Sequence, residues 1–264
     1  MKDPDPRVSG RGIRKLKKAG IEIDVGVGEQ QAQLLNEAYV THRVQGRPFV
    51  TYKAGVTFDG RTSAADGSSK WITHEAARAQ VQRMRVLSDA VCVGSGTVTA
   101  DDPLLIPADA ALTRPTLRVI IDAGLVIPTE ARVLNGEAPT VIYTAAGAKS
   151  AKTRRFASSP AEIVSMPGES GKVDLRGMLG DLATRGALSM LLEGGASLAG
   201  SFVDAGLVDR FIYYVSPKLL GARGNSSIEG WSAGSIAEAI PLRIESSRMV
   251  GEDLCVTARP LGER

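Results

Sequence analysis

Aromatic side chains are scarce in this sequence: five Phe, five Tyr and two Trp make up 5 % of its 264 residues. A nucleic-acid-binding surface normally interleaves aromatics with a dense basic stripe. Here the net charge is only +3. The densest basic cluster, Arg11, Arg14, Lys15, Lys17 and Lys18, has the spacing of a solvated helix face. Nucleic acid is therefore not an expected partner, although a mild excess of base suits ligands that carry phosphate. Cysteine is nearly absent. Cys92 and Cys255 lie far apart in apolar runs, the setting of buried packing residues, and two isolated cysteines cannot build a zinc site at motif spacing. His42 and His74 lack a ligand partner at i+4 and are expected on the surface, so no metal is expected. No apolar run reaches the length of a membrane span. Met1-Lys2-Asp3-Pro4 opens without the apolar stretch of a signal peptide, so no membrane and a cytoplasmic location are expected. The Gly-x-Ser-x-Gly elbow is missing, and no Gly-x-Gly-x-x-Gly follows the first strand.

What is present is a globular composition, 43 % hydrophobic and 23 % charged, in a chain long enough for a substantial core. Residues 3–20 read as a turn and a basic amphipathic helix stopped by Gly20, residues 21–27 alternate like a strand, and residues 29–45 read as one helix. This opening has too little apolar surface to stand alone. The pattern changes at Gly46-Arg47-Pro48, which divides the chain into residues 1–46 and 47–264. Apolar strands are expected at 49–56, 90–93, 117–122, 140–144, near Ile163, at 189–192 and at 211–215, with two more around 242–249 and 254–258. Helices are expected from a Thr73 N-cap through Leu87, over 149–157, over 174–186, and from Gly195 to Ala205. Strands alternating with helices argue for an α/β sheet, and the consecutive C-terminal strands make it mixed. Ligands of such sheets sit at the carboxyl ends of strands.

Several chemically capable residues fall at those ends. Glu193-Gly194-Gly195-Ala196-Ser197 joins a strand to a helix, where glycines admit a ligand and helix N–H groups face an anion. The glycines alone leave pyrophosphate binding and a ligand-free turn evenly open. Gly94-Ser95-Gly96-Thr97 is a second small-residue turn, and two such turns could clamp the ends of one dinucleotide. Asp101 and Asp102 before Pro103 fit a simple turn cap equally well. Glu193 ends an apolar strand and Lys53 lies inside another. Each is costly to bury unpaired, so a Lys53–Glu193 pair across neighbouring strands is plausible, either as a site element or as structure.

Thr51-Tyr52-Lys53-Ala54, Asp59-Gly60-Arg61-Thr62, Gly67-Ser68-Ser69-Lys70-Trp71-Ile72-Thr73, Val93-Gly94-Ser95-Gly96-Thr97-Val98, Ala100-Asp101-Asp102-Pro103, Leu192-Glu193-Gly194-Gly195 and Tyr214-Val215-Ser216-Pro217-Lys218-Leu219-Leu220-Gly221 occur in that order. Together they resemble the reductase domain of the bacterial bifunctional riboflavin-biosynthesis deaminase/reductase, over residues 47 to about 260. The resemblance implies an α/β, dihydrofolate-reductase-like mixed sheet flanked by helices, usually a homodimer. It implies NADPH as hydride source and a phosphorylated pyrimidine as substrate, 5-amino-6-(5-phosphoribosylamino)uracil, reduced at the sugar C1′ through a Schiff-base form. It places Ser69, Arg85, Leu105 and Glu193 on the substrate, and Gly55, Trp71, Thr97, Asp101, Gly195, Ala196, Ser197 and Leu198 on NADPH. Lys53, Glu193 and Asp101 become the catalytic candidates. Ser69 and Arg85 would hold the phosphate, since a guanidinium can bond two oxygens at once.

Asp3-Pro4-Asp5-Pro6, Gly12-Ile13 and Ala19-Gly20-Ile21-Glu22 look like the last portion of that family's zinc deaminase domain, without the His-x-Glu motif or zinc ligands. A separate deaminase is therefore a conceivable partner. Ala108 stands where the family usually has a phosphate-binding arginine, with Arg114 a candidate substitute, and Ala123 where a serine often meets NADPH. Losing a charge-assisted phosphate contact costs roughly 1.5–3 kcal/mol. Those departures keep two other readings in play: a related pyrimidine or pterin reductase with a changed phosphate pocket, and a non-catalytic subunit that docks a deaminase through residues 1–45.

Overall fold

The computed structural model describes residues 1–106, 115–147 and 150–262. They form two compact units, Met1–Phe49 with Leu179–Leu188, and Val50–Met178 with Ser189–Arg264. Ala108 and Arg114 lie outside the described residues.

In the first unit, helices α1 (Arg11–Lys18), α2 (Glu29–Leu35) and α3 (Glu37–Gln45) bury no residue fully. Gly20, at φ 77°, follows α1 in the left-handed region that ends a helix. The strand expected over residues 21–27 does not form. Its apolar residues Ile21, Val25 and Val27 stay 50 %, 48 % and 77 % exposed, because alternation alone cannot hold a strand that has no ladder partner. The single helix expected over 29–45 is split at Asn36, whose side-chain amide donates to the Ala32 carbonyl at 2.8 Å while its backbone leaves helical values. Residue 42 departs from expectation as well. His42 is half-buried, with Nε2 3.1 Å from the Ala183 carbonyl.

The second unit is built on a mixed sheet. Its strands are β1 (Phe49–Thr57), β3 (Ala90–Gly94), β4 (Leu117–Ile121), β5 (Thr140–Thr144), β6 (Glu162–Ser165), β7 (Ser189–Leu192), β8 (Arg210–Ser216), β10 (Leu242–Val250) and β11 (Asp253–Pro260). Among the described residues they run in the order β10-β11-β8-β1-β7-β3-β4-β5-β6. The pairs β7–β3, β3–β4, β4–β5, β5–β6 and β1–β8 are parallel, and the terminal hairpin β10–β11 adds antiparallel to β8. A small ribbon of β2 (Arg61–Ser63) and β9 (Asn225–Ser226) stands apart from the sheet. The long-range pairing of β2 with β9 left no mark in the glycine-rich stretch 57–70 of the sequence.

Helices α4 (Glu75–Leu87), α5 (Ser95–Asp101), α6 (Ala151–Arg154), α7 (Leu175–Thr184) and α8 (Ala196–Asp204) connect the strands. One core cluster gathers Val91, Val93, Ile120, Ile142, Phe156 and Leu191, and a second gathers Ala77, Val81, Tyr214, Val250 and Cys255. Both cysteines are buried as packing residues. In β1, Tyr52, Ala54 and Val56 are buried while Lys53 and Gly55 alternate to the other face, half-buried. That two-residue period aims Lys53 and Gly55 to the same side.

Candidate active site

Lys53 projects from the middle of β1, and Glu193 follows the last residue of β7, its neighbour in the sheet. Their charged ends are 3.6 Å apart, with side chains 17 % and 5 % exposed. Arg85, in the last turn of α4, completes the group. Its Nε donates to Glu193 Oε1 at 2.6 Å and its Nη2 to Oε2 at 2.8 Å, a two-pronged pairing. Burial pushes the Glu193 carboxyl up, and Lys53 and Arg85 together outweigh it, holding the group below the usual carboxylate range. Arg85 is desolvated too, yet its hydrogen bonds to Glu193 keep it charged. A buried carboxylate costs several kcal/mol unless paired, so the triad is a unit.

The two small-residue turns meet beside it. A Cβ added at Gly194 would lie 2.7 Å from Thr97 Oγ1, and one at Gly195 would lie 3.6 Å from the same atom and 3.8 Å from Leu198 Cβ. Thr97 belongs to α5, which begins directly after Gly94; Gly195, at φ 69°, precedes α8. The first-turn N–H groups of α8, on Ala196, Ser197 and Leu198, have no acceptor inside the helix. This backbone cradle, with its helix start, fits an anionic group such as a pyrophosphate.

The segment Ser69–Thr73 leads into α4, and its last residue meets β1 at Gly55. A Cβ at Gly55 would lie 3.0 Å from Thr73 Cγ2, so a larger residue there would need Thr73 to give by a few tenths of an ångström. Thr73 is not the cap of α4. That position is held by His74, whose N–H donates to Asp253 Oδ2 at 2.7 Å and whose Nδ1 is 2.9 Å from Oδ1. Asp253 is buried, and it substitutes for a local cap from 179 residues away. His74 is accordingly engaged with Asp253 and Glu252 rather than a free surface residue. Trp71 is 64 % exposed, and the Arg78 guanidinium lies 4.5 Å from its ring centroid. Arg78 Nη1 donates to the Thr73 carbonyl at 2.6 Å, and Lys218 Nζ donates to the Trp71 and Ile72 carbonyls at 2.7 and 2.9 Å.

Two expected residues sit differently from the rest. Leu105 is 2 % exposed and packed in the core, so only its main chain, at φ 57°, is left to face a ligand. Asp101 is exposed at the end of α5, while Asp102 makes the turn contact, accepting from the Arg132 N–H at 2.8 Å. Ala123 follows β4, and its carbonyl accepts from Thr144 Oγ1 at 3.0 Å. Among the described residues no cluster of three His, Cys, Asp or Glu side chains is arranged for a metal, and no helix is long and apolar enough to cross a membrane.

The model of the RibD C-terminal domain family matches residues 48–256. The riboflavin biosynthesis protein RibD of Bacillus amyloliquefaciens is 38 % identical over 262 residues, covering 98 % of this chain and 70 % of that protein. The chain belongs to the RibD C-terminal domain family. RibD of Aquifex aeolicus is 35 % identical over 260 residues, covering 96 % of this chain and 69 % of the relative. Among solved structures, Acinetobacter baumannii RibD superposes with a TM-score of 0.85 at 29 % identity, over 99 % of this chain and 71 % of that one. A Thermotoga maritima diaminohydroxyphosphoribosylaminopyrimidine deaminase/5-amino-6-(5-phosphoribosylamino)uracil reductase gives 0.84 at 29 %, over 99 % and 70 %. The fold is thus the dihydrofolate-reductase-like one of RibD reductase domains. Within it, sequence reasoning missed Arg78 and Lys218. Lys218 sits in one of the stretches that resemble the family, and a cation there with no assigned partner was the available signal.

Proposed function

We propose that this chain reduces 5-amino-6-(5-phosphoribosylamino)uracil with NADPH, opening the ribose to a ribitol chain. Membership in the RibD C-terminal domain family makes it an oxidoreductase of riboflavin biosynthesis acting on a pyrimidine; NADPH and the particular substrate are the proposed part. The observation that carries the reading is the Lys53–Glu193–Arg85 triad beside the Gly194–Thr97 cradle. One group has the chemistry of a charged reacting centre, and the other fits a dinucleotide's phosphates.

Bound NADPH supplies hydride. The residues do the rest. Ring opening of the ribosylamine generates a protonated imine at C1′ and an alkoxide at the departing ring oxygen. The Glu193 carboxylate, held ionised, stabilises the positive charge of that imine. The Lys53 ammonium is the proton carrier within reach of the same carboxylate and supplies the ring oxygen. Arg85 fixes the carboxylate through Nε and Nη2, leaving Nη1 for the substrate, with Ser69 as the second phosphate contact. Gly55, Trp71, Thr97, Asp101 and residues 195–198 border the cofactor in this reading. In this reading residues 47–264 are the reductase domain, residues 1–46 correspond to the end of a deaminase domain, and the enzyme works in the cytoplasm as a homodimer.

The test is to mix purified protein with NADPH and freshly deaminated phosphoribosylamino-pyrimidine and follow the cofactor's absorbance. Oxidation that depends on this substrate is the expected result. Turnover of a pterin or folate with none of the phosphoribosyl compound would instead assign the changed-pocket reading that Ala108 motivates. No NADPH binding, with co-purification of a deaminase, would assign the non-catalytic one.

A further inference from the structure

We infer that Lys218 is a positioning residue for the cofactor wall, acting through the main chain of Trp71 and Ile72. The inference rests on the reading of Trp71 as a cofactor contact. Residues 70–73 leave β1's loop to enter α4, and a turn of this kind cannot satisfy its own carbonyls. Three consecutive carbonyls are instead taken by cations from elsewhere: those of Trp71 and Ile72 by Lys218 Nζ, and that of Thr73 by Arg78 Nη1. Arg78 belongs to the helix that the turn leads into. Lys218 comes from the far side of β8 in sequence, 147 residues from Trp71.

Lys218 is itself anchored. Its carbonyl accepts from the Phe58 N–H at 2.9 Å. The Asp59 carboxylate accepts from Gly221 N–H at 2.6 Å, from Leu220 N–H at 3.2 Å and from the Thr57 hydroxyl. The Thr57 hydroxyl, the strongest of these contacts, and those N–H groups hold the Asp59 carboxyl down at about 2, so it stays ionised throughout the working range. The end of β1 thus fixes the Ser216–Gly221 loop, and the loop fixes Trp71. Both Lys218 and Trp71 are exposed, so the ammonium contributes little to global stability. What it sets is where a flat ring stands, and a misplaced wall is felt by the ligand that stacks on it.

The sequence holds two tryptophans, Trp71 and Trp231, so a Trp231→Phe background leaves Trp71 as the sole indole emitter. NADPH would be titrated into that protein, and into its Lys218→Met and Lys218→Arg forms, with steady-state kinetics and thermal melts run alongside. The expected result is quenching by NADPH in the parent. Lys218→Met should raise the NADPH dissociation constant and its KM by about tenfold, the scale of losing hydrogen bonds to a charged donor. Its melting temperature and pyrimidine KM should not move, and Lys218→Arg should recover most of the loss. An NADPH affinity within twofold of the parent in Lys218→Met, or an arginine form no better than the methionine form, overturns the role of Lys218. Absence of quenching in the parent removes Trp71 from the cofactor wall and overturns the premise, which separates that failure from the first.

Discussion

The buried centre and the exposed rim of the proposed site use cations in opposite ways. At the centre, Lys53 and Arg85 flank a carboxylate only 5 % exposed, and their charge is what allows Glu193 to be ionised there. At the rim, Arg78 and Lys218 meet carbonyls and a ring that is 64 % exposed, and their geometry matters more than their charge. The lesson is that removing a cation from the first should cost electrostatics and stability together, whereas removing one from the second should cost ligand placement alone.

The largest effect is expected at the centre. Glu193→Gln keeps the volume and removes the charge, and kcat/KM should fall by about a hundredfold or more; a loss under threefold in steady-state assays would detach the triad from the chemistry. Next, Arg85→Met leaves Glu193 buried with a weaker partnership and should lower unfolding stability by about 3–5 kcal/mol in urea titrations. The matching change at the rim, Arg78→Met, should cost under about 1 kcal/mol. Equal losses at the two positions would erase the distinction between them. Gly194→Ala places a methyl 2.7 Å from Thr97 Oγ1. Relieving such an overlap costs roughly 1–3 kcal/mol, and the NADPH KM should rise about tenfold.

The smallest effect is a pH dependence. The Glu193 carboxyl is lower in the folded state, so its stabilising contribution is complete above the unfolded carboxylate value of about 4.3 and is lost as pH falls through the lowered folded value. Melting temperatures should be insensitive to this group between pH 8 and 5, on the order of its reference value, and Glu193→Gln should flatten part of the decline in more acid solution. An unchanged acid slope would mean that Glu193 is not held down by its partners.

Most of the sheet was legible because strands such as 90–94, 117–121 and 140–144 are short apolar runs bounded by turn residues. The Lys53–Glu193 pairing was legible for the same reason: a charge in each of two buried strands needs a partner. Features that depend on distant residues were not. Thr73 looked like a cap, but the carboxylate that serves α4 comes from Asp253. Residues 21–27 alternate as a strand should, yet have nothing to pair with. The family resemblance puts Arg85 on the substrate phosphate, while two of its donor nitrogens are engaged by Glu193. The pattern of a single segment carries its period, and nothing in it tells which remote group will complete it.

In the proposed reaction the hydride passes from NADPH to the sugar C1′ of the ribosylamino-pyrimidine. Incubating the protein with NADPH deuterated on the transferring face, and locating the label in the product by mass spectrometry and NMR, tests it most directly. A single deuterium on the C1′ methylene of a ribitylamino product is the expected result. Deuterium on the pyrimidine ring, or an unlabelled ribityl chain, would contradict it.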